Sequence, residues 1–267
     1  MTPRWAARLV AAGLAVSLGL GTFVLYGART VHPVKPADAH ARYRDRPSFA
    51  GLPGWDKPLG TGVRPPAGVH YYRTTGYAKV NRLGIERRYP AITARLVRHG
   101  PGCQWQEEVA IFTEHFETYS ACAQGREQVD TGFGTRLSYF FVPGVTDLVC
   151  DAGLTRTGVL LRPDQPVRAS CRDDDNDVRA EVTTTFLGAG TATVGDDDVP
   201  CNRLRVVSAL TGSTVGVADR TLCTTRDTGL VLTEERAVSV VTDSAFIGRV
   251  TYTEQAEFAI VLTTPFT

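Results

Sequence analysis

The segment that decides the fold is CNRLRVVSALTGSTVGVADRTLC, residues 201–223, which has a cysteine at each end and Thr-Gly-Ser at its centre. Cys201 and Cys223 are equidistant from Gly212, so a tight turn at 211–213 places them opposite each other on antiparallel strands. Directly opposed strand residues lie about 4.5–5.5 Å apart, a separation that a disulfide bond tolerates. A helix would hold the two cysteines about 33 Å apart. The segment therefore predicts a hairpin closed by a disulfide bond.

The same register assigns the side chains of this hairpin to two faces. It pairs Arg205 with Asp219, Val207 with Val217 and Ala209 with Val215, all favourable cross-strand pairs. The other face of the first strand carries Leu204, Val206 and Leu210 at a period of two. Because the cysteines share their face with the charged pair, we expect the bridge on the solvent side, outside the core.

The cysteines of the whole chain indicate an oxidising compartment. There are six, which are Cys103, Cys122, Cys150, Cys171, Cys201 and Cys223. They form no CxxC motif, and no histidine lies between 150 and 223, so the spacing of zinc ligands is absent. Read as three sequential pairs, they fit a disulfide framework, although six cysteines allow 15 connectivities and a reduced, buried set is the alternative.

The N-terminus favours export with a retained anchor. Arg4 and Arg8 precede an uncharged, mostly apolar run at residues 9–28, which is long enough to span a bilayer as a helix. A cleaved signal peptide has a shorter apolar region, and the cleavage-like Ala-His-Ala at 39–41 lies well beyond it. We therefore expect an uncleaved anchor, with cleavage as the alternative. The positive charge keeps the short N-terminal side cytoplasmic and places all cysteines outside.

Composition divides the rest of the chain into a spacer and a domain. Residues 29–67 hold seven of the fifteen prolines and predict an extended Pro/Gly-rich linker, with partial docking of Trp55 as an alternative. From residue 69 onward, segments of alternating polarity follow one another with short turns, which is typical of an antiparallel meander. In the last of them, residues 248–262, one face is apolar. We thus predict three parts: a cytoplasmic stub and anchor (1–28), a linker (29–67) and an extracytoplasmic β domain (68–267).

One segment of this meander also has a helical pattern. Between Cys103 and Cys122, Trp105, Val109, Phe112, Phe116 and Tyr119 recur at helical spacing. A helix would keep the two cysteines about 28 Å apart, so a bond between them requires a hairpin that turns near residues 112–114. We predict the hairpin, because exported cysteines need partners.

The predicted fold class is mainly β, an antiparallel meander curled into a half-barrel or barrel, preceded by one transmembrane helix. A sheet with one apolar face needs a cover, and no strong helix follows residue 69. Closure of a curved sheet on its own side chains is the simplest solution, and it can leave an apolar groove.

Motifs for catalysis and metal binding are weak. The chain lacks HExxH, a P-loop and G-x-S-x-G. His115 lies among Glu107, Glu108, Glu114 and Glu117, which suggests a metal or acid–base site, but a Glu-rich solvent face is the more common reason for such a run. The acidic runs at 173–177 and 196–198 lack the ligand spacing of a calcium loop and fit hairpin turns better. We predict no catalytic residue, no metal and no cofactor.

Several stretches resemble a widespread group of actinobacterial membrane-anchored envelope proteins. They are GVHYYRTTGYAKV (68–80), RRYPAITARLV (87–97), GPGC (100–103), Cys122, the pair Cys150 and Cys171, and GLVLTEE (229–235). The sheet of that group looks like the half-barrel of bacterial lipoprotein carriers, which hold acyl chains on a concave apolar face. The resemblance implies a lipid-binding or envelope-assembly role and brings no catalytic residues. Cys201 and Cys223 depart from the pattern of most members.

Together these observations predict a membrane-tethered extracytoplasmic β domain that is not an enzyme and binds an apolar or lipid-like ligand. The alternative is an envelope interaction or structural domain with a closed core and no ligand. The net charge of +1 gives no electrostatic basis for binding nucleic acid. The predicted location is the cell membrane, with a single pass.

Overall fold

The computed structural model describes residues 32–46, 63–81, 84–125, 127–139, 142–157, 162–163, 165–244 and 248–265. These ranges contain one α-helix, α1 (Pro36–Asp45), and thirteen strands. The strands are β1 (Gly68–Val80), β2 (Ile85–Arg88), β3 (Ile92–His99), β4 (Gln104–Phe112), β5 (His115–Gln124), β6 (Glu127–Tyr139), β7 (Val142–Thr157), β8 (Val167–Asp173), β9 (Val178–Val194), β10 (Asp197–Gly212), β11 (Thr214–Thr225), β12 (Val231–Ser244) and β13 (Gly248–Pro265).

The strands form a closed antiparallel barrel. From β3 to β13 each strand pairs with the next along the chain, β1 pairs with β3, and β13 returns to pair with β1. Twelve strands thus close the barrel, while β2 pairs with the far end of β1 beside β3. Closure leaves no edge between β1 and β13. The predicted β meander is confirmed, in its barrel form and not as a half-barrel.

The hairpin at 201–223 forms, but its register is two residues away from the predicted one. Leu210 pairs with Gly216, and Cys201 therefore lies opposite Thr225 instead of Cys223. A longer turn around Ser213 causes the shift, because β10 continues to Gly212 before the chain reverses. A shift of two keeps every side chain on its predicted face.

Three disulfide bonds form in the predicted pairs; two join neighbouring strands, and the third joins the turn before β4 to β5. They are Cys103–Cys122, Cys150–Cys171 and Cys201–Cys223. We expected the Cys201–Cys223 bridge to be exposed to solvent. This was wrong, because Cys201 is 0% exposed and Cys223 is 6% exposed. They point to the outer face with Arg205, yet they pack in one cluster with Ala192 of β9. β9 also contacts β12 and β13, and the packing of Ala192 against the two cysteines accounts for the burial of the bridge.

The second predicted hairpin also forms. β4 and β5 pair directly and reverse at residues 113–114, with Phe112 opposite His115. The helical spacing of aromatic residues in this segment therefore reflects packing on both faces of two strands. The first acidic run lies at the turn at 174–177, as predicted, while the second begins in the turn at 195–196 and continues into β10 at Asp197.

The helix α1 lies within the segment predicted as an extended linker. Pro36 at the first turn, Asp38 near the N-terminus and basic residues in the last turn favour a helix here. Ala39 and Tyr43 pack against the outward faces of β1, β3 and β4, in a cluster with Leu96 and Ala110. The predicted linker is therefore folded onto the barrel at residues 36–45.

The residues before α1 are held beside the β4–β5 turn. The backbone N–H of Thr113 donates to the carbonyl of His32 at 2.9 Å, and Pro33 forms a β-bridge with Phe112. The described chain thus enters at this end of the barrel.

No helix within the described ranges has the length and hydropathy needed to cross a bilayer. The predicted anchor at residues 9–28 lies outside the described residues.

Candidate functional site

The lumen of the barrel contains a cavity of about 360 Å³. It reaches the end of the barrel where the β8–β9, β10–β11 and β12–β13 turns lie, because exposed Asn176, Ser213 and Asp243 line its rim. We call this end the mouth. The β4–β5 turn lies at the same end, since successive hairpin turns of the meander alternate between the two ends.

The wall of the cavity is mostly apolar. It is built from inward residues at a period of two on neighbouring strands: Val178 and Val182 of β9, Val206 and Leu210 of β10, and Val238 and Val240 of β12. Leu204, Val206 and Leu210 of the segment 201–223 thus face the interior, as their alternation predicts. Phe133, Leu148 and Cys150 complete the apolar lining.

The floor of the cavity is a buried network of ion pairs centred on Glu234. One carboxylate oxygen of Glu234 accepts from Nε of Arg220 at 2.7 Å and from Nε of Arg236 at 2.9 Å, and the other accepts from Arg95 at 2.5 Å. Arg95 also donates to Glu107 at 2.7 Å. Glu234 is 1% exposed, so this carboxylate is shielded from water by the arginines that surround it.

Two further carboxylates meet at Arg236. Its Nη1 donates to Glu117 at 2.5 Å and to Glu254 at 3.2 Å. The hydroxyl of Tyr119 donates to Glu117 at 2.9 Å, and that of Tyr252 donates to Glu254 at 2.6 Å. The positions of both carboxylates are therefore fixed by two donors each.

The seven charged side chains of this network do not balance. Three arginines, Arg95, Arg220 and Arg236, face four glutamates, Glu107, Glu117, Glu234 and Glu254, so one negative charge is left over among them. Aromatic rings provide the rest of the packing. Arg220 lies 4.0 Å above the ring of Tyr119, and Arg236 lies 4.6 Å from the ring centre of Phe258.

The environment keeps Glu117, Glu234, Arg220 and Arg236 ionised despite burial. Burial alone would raise the pKa of Glu117 and Glu234, but the neighbouring guanidinium groups outweigh it, and both pKa values lie well below the usual range. Burial likewise opposes the charge of Arg220 and Arg236, yet Glu234 and Glu117 raise their pKa values. Burial raises the pKa of Tyr119, which stays neutral and donates its proton in a hydrogen bond.

His115 lies beside this floor and lines the cavity. It is 1% exposed, and neither ring nitrogen has a hydrogen-bond partner among the described residues. Its Nε2 lies 3.4 Å from Oε1 of Glu117, the oxygen that faces away from Tyr119 and Arg236. The rings of Tyr89 and Phe112, each 6.4 Å away between centroids, pack around the imidazole.

The structure separates the acidic residues that surround His115 in sequence. Glu117 lies beside it, but Glu107 pairs with Arg95 deeper in the lumen. Glu108 faces the opposite side of β4 and pairs with Arg42 of α1 and with Arg98. Glu114 pairs with Arg87 in the turn region at 3.6 Å. The interpretation of this run as a solvent face was wrong for Glu107, Glu108 and Glu117, which are all buried.

The residue that sequence reasoning missed is Glu254, which joins His115 and Glu117 from the last strand. Donor atoms of these three residues lie within 4.8 Å of one another. The spacing His115-x-Glu117 on one strand is the only local signal for such a cluster, because Glu254 is 137 residues farther along the chain than Glu117. Closure of the barrel between β13 and β1 brings it into the lumen.

A comparison with protein-family models, with curated proteins and with solved structures finds no match for this chain. The resemblance to actinobacterial envelope proteins and to lipoprotein carriers therefore stays a prediction from the sequence.

Proposed function

We propose that this chain is a non-catalytic, membrane-tethered extracytoplasmic barrel that binds one apolar or lipid-like molecule in its lumen. The observation that carries the proposal is the cavity of about 360 Å³, which has an apolar wall and reaches the surface at the mouth. Its volume lies in the range of about 300–1,000 Å³ that is common for small-molecule sites.

The distribution of polarity in the lumen indicates how a ligand would lie. The apolar part would pack along the valines and leucines of β9, β10 and β12, and the polar end would reach the floor. Nη2 of Arg220 is buried there and has no hydrogen-bond partner in the part of the chain that the structure describes, while its Nε donates to Glu234. An oxygen acceptor such as a hydroxyl or carbonyl fits this donor, since the floor as a whole carries excess negative charge.

The open half of the lumen favours this proposal over an interaction domain with a closed core. On the β1 side the lumen is filled by side chains such as Tyr72, Val109 and Phe258, but on the β6–β11 side it is not. A purely structural barrel would gain by filling that volume, because unfilled apolar space costs stability.

A pair of tryptophan variants tests lumen binding. Ala218 lines the cavity, whereas Ala237 lies on the outer face of β12 and is exposed. We expect the full-length protein to take up a fluorescent fatty acid, Ala218→Trp to weaken uptake at least about tenfold by occupying the cavity, and Ala237→Trp to bind like the wild type. Native mass spectrometry from mild detergent gives an independent readout. A wild-type protein that carries no lipid and takes up no probe, or two variants with equal affinity, would contradict the proposal.

The tether and the export are supported by the N-terminal apolar run and by the three disulfide bonds, which persist in oxidising compartments. Deleting residues 1–28 behind a cleavable export signal should move the protein from the membrane fraction to the soluble exported fraction. Protease added to intact cells should digest the wild-type barrel domain. A wild-type protein that is protected from protease in intact cells and digested only after lysis would contradict the proposed orientation.

A further inference from the structure

We propose that His115, Glu117 and Glu254 together bind one divalent cation of the first transition row at the floor of the lumen, with Zn²⁺ the best chemical match. The three side chains come from β5 and β13, on opposite sides of β1 in the closed barrel. All three line the cavity, so an ion has a path from the mouth to the site. The proposal does not depend on the identity of any apolar ligand.

The separation of the donor atoms suits a small four-coordinate ion. Bonds of about 2.0–2.1 Å to nitrogen and oxygen place two tetrahedral ligands about 3.3 Å apart. The observed distance between Nε2 of His115 and Oε1 of Glu117 is 3.4 Å. The donor atom of Glu254 lies within 4.8 Å of both, so a side-chain adjustment of at most about 1.5 Å completes three bonds of this length.

The state of His115 points to a missing partner rather than to a packed core residue. A buried polar atom without a hydrogen bond is destabilising, because it has lost its bonds to water without gaining a replacement. His115 is 1% exposed, and among the described residues neither of its ring nitrogens has a hydrogen-bond partner; the nearest polar contact is the one of 3.4 Å between Nε2 and Oε1 of Glu117. A cation between the imidazole and the two carboxylates would supply a partner for Nε2.

The charge of the floor favours a cation at this point. The ion-pair network has one more glutamate than arginines, and Glu117 and Glu254 are the two carboxylates on the side of His115. Their positions are fixed by Arg236, Tyr119 and Tyr252 through bonds to oxygens, as metal-binding carboxylates usually are. Oε1 of Glu117, the oxygen nearest His115, accepts none of these bonds.

The ligand set also selects the type of ion. Imidazole nitrogen is a good ligand for zinc, copper, iron and nickel, whereas calcium and magnesium prefer six or more oxygen ligands. Three protein ligands leave one position of a tetrahedral ion open, and this position would face the cavity.

Metal analysis of the full-length protein tests the proposal. After treatment with a chelator and dialysis against Zn²⁺, we expect about one Zn²⁺ per chain, and Ca²⁺ at the same concentration should not bind. His115→Gln and Glu254→Gln should each weaken zinc binding at least about tenfold. The matched control is His99→Gln, since His99 is half-buried, bonds to the carbonyl of Pro65 and lies outside the cluster.

Two readouts on the wild type make the test independent of how the variants fold. Zinc at about 100 times its dissociation constant should raise the melting temperature by roughly 5 °C or more. Co²⁺ in place of zinc should give the visible absorption of a four-coordinate site. A wild-type protein that retains no zinc and shows neither effect would overturn the proposal. Folded His115→Gln or Glu254→Gln variants that bind zinc like His99→Gln would overturn it as well.

Discussion

The charge of Glu234 should be the most sensitive single feature of the barrel. Its carboxylate accepts from Arg95, Arg220 and Arg236 at 2.5–2.9 Å. Glu234→Gln keeps the shape of the side chain but leaves three guanidinium groups around a neutral amide, whose own N–H₂ then faces a cation. Breaking a buried charge pair by removing one partner costs about 3–5 kcal/mol.

The matched control is the next residue along the strand. Glu235 carries the same side chain but points outward and is exposed, so Glu235→Gln should change the free energy of unfolding by no more than about 0.5 kcal/mol. A loss of 3–5 kcal/mol corresponds to a melting temperature lower by about 6–20 °C for a domain of this size.

Urea unfolding with intact disulfides, followed by circular dichroism, measures both variants, and an unchanged m-value shows that the same surface is exposed on unfolding. If Glu234→Gln unfolds within about 1 kcal/mol of Glu235→Gln, the floor of the lumen is hydrated and our account of it as a shielded ion-pair network is wrong.

Three further predictions follow from local geometry. First, Cys150→Ser/Cys171→Ser should destabilise the barrel more than Cys201→Ser/Cys223→Ser, although the two loops have similar separations of 21 and 22 residues and each bridge is worth about 3 kcal/mol by chain entropy. The reason is that the described parts of β7 and β8 pair at only two positions, whereas β10 and β11 share a long ladder. Faster hydrogen exchange in β7 and β8 should report the separation of these strands. Equal losses would show that the β7–β8 contact does not depend on its bridge. Second, burial lowers the pKa of His70, which is 0% exposed, so the stability that its neutral form contributes is present above about pH 6.5 and is lost as the pH falls below that value. In urea unfolding, the wild type should therefore lose more stability than His70→Gln between about pH 7.5 and pH 5. Parallel pH profiles of the two proteins would contradict this prediction. Third, Gly76→Ala should destabilise by more than Gly195→Ala, because Gly76 has φ +141° and a Cβ there would meet the backbone of Gln255 and Ala256, while a Cβ at Gly195 meets nothing; equal melting temperatures for the two variants would refute this reading of the β1–β13 contact.

The strands and bridges were predictable because they depend on local patterns. The hairpin at 201–223 follows from two cysteines, a central turn and the alternation of polar and apolar residues. Only the length of the turn was not predicted, and for this reason the observed register differs from the predicted one by two residues. The β4–β5 hairpin follows from the need to join Cys103 to Cys122.

The interior of the barrel was not predictable in the same way. A polar residue that alternates with apolar ones, such as Arg95 between Ala94 and Leu96 in β3, is normally assigned to the solvent face. Here Arg95 faces inward, and Ala94 and Leu96 are buried on the outside by α1. What makes the inward charges tolerable is a set of partners on strands far away in sequence, Glu234 and Arg236, and no local pattern shows such pairing.

If the proposed anchor at residues 9–28 spans a membrane, the attachment of residues 32–33 to the β4–β5 turn would set the orientation of the barrel on it. The chain enters the described structure at the end of the barrel where the lumen opens. If residues 9–28 are the anchor, only three residues separate it from His32, a reach of at most about 14 Å. The opening would then be directed towards the bilayer surface and not away from it. A lipid leaving the outer leaflet could enter the barrel without travelling around it, and the far end would stay free to meet other components of the envelope.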